Sequence, residues 1–100
     1  MQERRTEPRL RTNLNVRWET LHTGGRGSIC DLSVSGCFVL TGGEVTPPEL
    51  VRMNIVLASE MVTLWGNVVY TIKEMGFAVR FVLGAEADKK LIERVIANLQ

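Results

Sequence analysis

Between Ile29 and Leu40 a run of strand-forming residues is broken by Asp31-Leu32-Ser33-Val34-Ser35-Gly36. A carboxylate, two hydroxyls and a glycine inside an apolar run need a reason. Such residues make bulges or turns, because glycine frees the backbone and Asp or Ser bonds its own backbone nearby. They also suit a ligand. Asp31 accepts from N–H donors, Ser33 donates to a phosphate or orients a neighbour, and Gly36 lets a ligand approach the main chain. A second group able to do chemistry is the set of arginines ahead of the first strand, Arg4, Arg5, Arg9 and Arg11. Guanidinium forks match phosphates and the O6/N7 edge of guanine, and their planes stack on bases. Fully extended, Arg5 and Arg9 start roughly 13 Å apart; in a turn they converge on one anion.

Catalysis is not indicated by these residue types. His22, the only histidine, sits in His22-Thr23-Gly24-Gly25 and reads as an exposed spacer in a turn. Ser33 and Ser35 have no companion histidine at a recognisable spacing, and the acidic residues form no metal or acid/base pair. Cys30 and Cys37 are too few for a disulfide framework or a closed zinc site and read as reduced core residues. The chain therefore reads as a binding protein, not an enzyme, with no metal or cofactor implied.

The elements that must position these groups follow from periodicity. One hundred residues, 45% of them hydrophobic, make a single domain. Residues 1–11 have no hydrophobic period, and Pro8 biases Glu7 toward an extended conformation, so an arm that is mobile without ligand is expected. Leu14, Val16 and Trp18 alternate with polar residues as a half-buried strand, with Trp18 in the core. A second strand runs from about Gly27 into the interrupting stretch and continues as Cys37 to Thr41. Val51, Met53, Ile55 and Leu57 mark a third. Met61 to Thr71 is longer, with Val62, Leu64, Val68 and Tyr70 read as sharing a face and Gly66 as permitting a bend. Phe77, Val79 and Phe81 mark another. Five or six strands in hairpin order are expected to close into a small barrel over 12–83, which removes its edges. Leu91, Ile92, Val95, Ile96 and Leu99 recur at helical spacing, which predicts a helix over 85–99 acting as a lid.

Net charge is only +1, yet six arginines face three glutamates up to Arg26 while the remainder is acidic. Nonspecific duplex binding needs a broader basic face, which argues against nucleic acid. No apolar run of about 18 residues exists for a membrane span. The amino end lacks a signal-peptide core, so the cytoplasm is the expected location.

The ordered pair of motifs, Arg5-x-x-x-Arg9 and then Asp31-x-Ser33-x-x-Gly36, resembles the PilZ domain family, bacterial receptors for the second messenger cyclic di-GMP. The later runs Gly66-Asn67-Val68-Val69 and Gly76-Phe77-Ala78-Val79-Arg80-Phe81, followed by a terminal helix, extend the resemblance over essentially the whole chain. It implies a mainly β fold, a six-stranded antiparallel barrel with a C-terminal helix and an N-terminal arm. It also implies that Arg5 and Arg9 wrap cyclic di-GMP against the barrel while Asp31, Ser33 and Gly36 form the floor. Asp31 would then select guanine, whose N–H edge adenine lacks. In the family, an arginine directly before the first motif goes with an intercalated ligand dimer, and Arg4 holds that position. A receptor of this kind acts as an adaptor whose arm changes the surface an effector protein sees. The alternatives are a ligand-independent interaction module of the same fold, and a barrel that stacks single-stranded nucleic acid on Trp18, Trp65 and Tyr70.

Overall fold

The computed structural model describes residues 8–99. Residues 1–7, with Arg4, Arg5 and most of the expected arm, lie outside the described residues. Six antiparallel strands come first, β1 (Leu10–Glu19), β2 (Gly24–Leu32), β3 (Gly36–Leu40), β4 (Leu50–Val56), β5 (Met61–Ile72) and β6 (Gly76–Phe81), and then the helix α1 (Glu86–Leu99). The first strand starts two residues before the expected 12, and the helix starts one residue after the expected 85. The strands close into a barrel in the order β1-β2-β3-β6-β5-β4, so each strand is paired on both sides over at least part of its length.

Alternation fills the barrel. Val16, Trp18, Ile29, Val39, Val51, Met53, Ile55, Val62, Leu64, Val68, Phe77 and Val79 point inward and are almost fully buried. Trp18 lies at one end of this core, edge-on to Phe77 with ring centres 5.1 Å apart, and its indole N–H donates to Thr41 Oγ1 at 3.2 Å. A buried indole with a partner is the satisfied core residue expected from the sequence. At the other end, Ile92 and Val95 of α1 join the core, with Leu91, Ile96 and Leu99 packed against it. Arg94 pairs with Glu60 in the turn between β4 and β5 at 3.1 Å. Acidic Glu86 and Asp88 occupy the first helical turn, where they favour the dipole, and Asp88 accepts from the Ala85 N–H. The helix is thus a plug at one end of the barrel, as its apolar stripe predicts.

Three irregularities interrupt the ladders. The pairing shifts between Arg11 and Leu14 on β1, between Ile29 and Asp31 on β2, and between Val68 and Tyr70 on β5. An extra residue in a strand reverses which face the following side chains take. The bend expected at Gly66 is not what that glycine serves. A Cβ there would overlap the Val79 side chain, so Gly66 permits close packing of β5 on β6, and the irregularity falls at Val69 instead. Among the described residues no helix is long and apolar enough to cross a membrane.

Candidate functional site

Asp31 reaches the outer surface because of the bulge at Cys30. Strict alternation from inward Ile29 would turn Asp31 inward and Leu32 outward, yet Ile29 and Leu32 are both buried. The extra residue resolves the conflict: Asp31 pairs with Phe38, Leu32 pairs with Cys37, and the carboxylate faces out beside Arg11. The interrupting stretch is therefore both things its composition allows. A bulge at Cys30 leads into it, and it turns at 33–35 to join two strands where the sequence suggested one continuing strand.

Ser33 holds that turn from within. Its side chain is fully buried, unlike the ligand-facing position implied by the resemblance. The Ser35 N–H donates to Ser33 Oγ at 3.3 Å, the two hydroxyls lie 3.2 Å apart, and the Ser33 N–H donates to the Gly36 carbonyl at 2.9 Å. Of the two roles read for Ser33, these bonds are those of orienting a neighbour. The tight turn folds the hydroxyl inward, where it replaces water for the backbone. The Phe81 N–H donates to the Ser35 carbonyl at 2.9 Å, which ties the turn to the end of β6. Gly36 is required by its own neighbour across the sheet, since a Cβ would overlap the Val79 carbonyl oxygen.

Arg9 meets Asp31 at the lip of the turn. Its guanidinium Nη2 donates to Asp31 Oδ2 at 3.1 Å, with Nε at 3.4 Å from the same oxygen. Both side chains are more than a third exposed, so the pair adds at most about 1 kcal/mol to the fold. The other oxygen differs. Asp31 Oδ1 is shielded from water and has no hydrogen-bond partner among the described residues. A screened carboxylate oxygen without a donor is costly, so a donor that reached it would be favoured.

Next to this pair lies an open depression of about 380 Å³ on the outer face of β3, β6 and β5, lined by Arg9, Gly36, Val69, Tyr70, Ala78 and Arg80. Arg80 stands opposite both Gly36 and Asn67 and is exposed, a second cation facing the floor of the depression. Tyr70 corrects the sequence reading that put it on one face with Val62, Leu64 and Val68. Those three are buried, whereas the bulge at Val69 swings Tyr70 outward to 51% exposure. Phe38 supports it from β3, across Ala78 of the intervening β6, ring centres 6.3 Å apart and tilted by 41°. An exposed aromatic ring backed by another is a platform for a planar base.

The described residues thus bring together Arg9, Asp31 and Gly36, with Ser33 behind them. Arg80 and Tyr70 also line the candidate site; the sequence reading gave Arg80 no role and named Tyr70 only as a stacking platform in the nucleic-acid alternative. Arg80 could have been found from its outward place between buried Val79 and Phe81; the outward direction of Tyr70 could not, because no residue type announces the bulge. Cys37 lies under the site, buried and hydrogen-bonded toward Met53 Sδ at 3.9 Å. Burial pushes its thiol far up, with the charge on Asp31 and then Cys30 adding and Arg9 opposing. It is a core thiol with no nucleophilic character.

The model of the PilZ domain matches residues 3–98. No curated protein matches the chain by sequence. Among solved structures it is similar to the PilZ domain of CeSA from a cellulose-synthesizing bacterium, with 18% identity and a TM-score of 0.79 over 92% of this chain and 97% of that one. It is also similar to K. pneumonia MrkH in complex with c-di-GMP, with 21% identity and a TM-score of 0.78 over 97% of this chain and 52% of that one. The Bacillus subtilis inhibitor of motility MotI/DgrA matches with 19% identity and a TM-score of 0.67, again over 97% of this chain and 52% of that one. The chain therefore spans about half the length of MrkH and MotI. At these identities the likeness concerns the fold.

Proposed function

Because the chain belongs to the PilZ domain family, we propose that it is a receptor for cyclic di-GMP, acting through binding and not catalysis. The observation that carries this reading is the Arg9–Asp31 pair, in which one Asp31 oxygen is left without a donor while Arg9 lines an open depression. Guanine offers N1–H and N2–H on one edge, the donor pair that such a carboxylate selects, and adenine does not. Arg9 and Arg80 supply guanidinium forks for phosphate or the O6/N7 edge, and Tyr70 supplies a face for a purine. Ser33 and Gly36 act as positioning residues that keep the turn tight and the depression open. Arg4 and Arg5 complete the cation set from the amino-terminal side, closing the arm over the ligand and changing the surface offered to an effector protein. Arg4 directly before Arg5-x-x-x-Arg9 supports an intercalated pair of nucleotides. One half of MrkH's length carries the same fold in a c-di-GMP complex, which favours this reading over a ligand-independent module.

Calorimetric titration with cyclic di-GMP, with GTP as the control, tests it. Binding of the dinucleotide with a stoichiometry near two is expected. In Asp31→Asn, which keeps shape and removes the charge, affinity is expected to fall at least about tenfold with no loss of fold, equivalent to about 1.4 kcal/mol. Undiminished binding in both Asp31→Asn and Arg9→Ala would remove the site, and one nucleotide per chain would remove the intercalated pair. Amides of residues 3–11 are expected to gain protection from exchange when the nucleotide is added.

A further inference from the structure

The outer surface of β2, β1, β4 and β5 carries two features that neither the barrel nor the nucleotide site uses. The first is a groove of about 400 Å³ at the end of the barrel where β1 turns into β2, walled by Leu21, Leu50 and Trp65, with Arg52 and Glu19 along it and Glu49 at its rim. Leu21 is 95% exposed, and Leu50 and Trp65 are nearly half exposed. Arg52 lies over the Trp65 ring, 5.9 Å from its centre, and pairs with Glu19. Its Nε is shielded from water with no acceptor among the described residues. An aromatic ring and an arginine beside aliphatic walls is the composition of an interface anchor site, and leaving it in water is costly.

The second feature is Arg17 opposite Arg26 on neighbouring strands. Both are exposed, and neither guanidinium has an ion pair or hydrogen bond among the described residues. Like charges directly opposite destabilise a sheet, so the free fold bears a cost here that packing does not require. The two arginines flank a depression of about 340 Å³ together with Asn15 and Val56. Register sets this pair beside the groove. Arg17 stands opposite Asn54, Glu19 opposite Arg52, and Arg52 opposite Trp65. The guanidinium pair is thus two residues, about 7 Å, along β1 from the Glu19–Arg52–Trp65 row.

We infer that this face docks a partner protein through a segment that seats a bulky apolar side chain in the groove and a carboxylate between Arg17 and Arg26. An extended segment covers that separation in two residues. Charge decides the occupant. Glu19, the carboxylate two residues along β1 from Arg17, is already held by Arg52. This chain's own arginine-rich amino end would be repelled. Nucleic acid would bring phosphates against Glu19 and Glu49, and Arg52 covers the Trp65 face on which a base would stack. The surface shares β2 and β5 with the Asp31 site but uses other residues of them, Arg26 standing five residues before Asp31 on β2 and Trp65 five before Tyr70 on β5.

The test is selection of a random peptide library displayed on phage against the whole chain, with and without cyclic di-GMP. Enrichment of peptides that pair an aromatic or large aliphatic residue with Asp or Glu two positions away is expected. Their affinity should fall at least about tenfold in Arg26→Glu and in Leu21→Ser. Leu21 is too exposed to matter for folding, and Arg26→Glu turns a like-charged pair into an opposite one, so its thermal midpoint should equal or exceed the parent's. Cyclic di-GMP titration of the same two variants should be unchanged, which separates this face from the nucleotide site. Basic consensus peptides, peptides that bind both variants undiminished, absence of any enrichment, self-association abolished by these substitutions in sedimentation, or protection of this face by an oligonucleotide would each overturn the inference.

Discussion

A methyl group added at Gly36 would overlap the Val79 carbonyl oxygen, so the glycine of the turn is demanded by the contact between β3 and β6 whether or not a ligand is present. Gly36→Ala is expected to destabilise the fold by more than about 2 kcal/mol, read as a lower urea midpoint. An unchanged midpoint with lost nucleotide binding would assign the glycine to the ligand instead. Cys37 carries a different signature. Its folded thiol is raised well above the usual 9.0 by burial, then by the charge of Asp31. The folded chain keeps this proton when the unfolded chain has released it. The contribution is complete below pH 9.0 and is lost progressively as pH rises above it. Denaturation followed between neutral and alkaline pH should show a shallower decline in Cys37→Ala than in the parent; equal slopes would mean that the thiol titrates alike in both states.

At the scale of elements, the site is made by irregularity in regular strands. The bulge at Cys30 aims Asp31 outward while keeping Ile29 and Leu32 in the core, and the bulge at Val69 aims Tyr70 outward after buried Val68. Both sit on strands bordering or forming the depression, where bulges commonly re-aim functional side chains. The helix plays the complementary part. Its buried Ile92 and Val95 close the barrel end at which the 33–35 turn and the start of β5 also lie. Truncating Ile92 to alanine leaves a cavity there, with an expected cost of about 2–5 kcal/mol in chemical denaturation. A loss below about 1 kcal/mol would show that α1 is a loosely held appendage and not part of the core.

As a whole molecule, the closed barrel is a scaffold for two surfaces that use different residues of its outer face. One carries Arg9, Asp31, Gly36, Tyr70 and Arg80; the other carries the Trp65 groove and the facing arginines Arg17 and Arg26. A ligand that binds only the folded chain stabilises it by mass action. At about a hundred times its Kd, cyclic di-GMP is expected to add about 2.7 kcal/mol, which raises the thermal midpoint by about 10 °C or more for a domain of this size. The same addition to Asp31→Asn should produce little shift, and equal shifts in both proteins would count against a carboxylate-centred site.

Strand alternation, the helical stripe and the turn residues were legible in the chain itself, because burial on one face imposes period 2 on strands and period 3.6 on helices. So were Trp18 as core, His22 as an exposed turn residue, and Arg9 with Asp31 and Gly36 as one candidate site. The direction of individual side chains beyond a bulge was not, since one extra residue reverses a face and is set by the register of the partner strand. Hence Tyr70 came out of the core, Ser33 went into it, and Arg80 arrived opposite Gly36 through a pairing of β3 with β6 that lies some forty residues apart in the chain. Sequence determined which chemistry was present. Only closure of the barrel decided which of those groups share a surface.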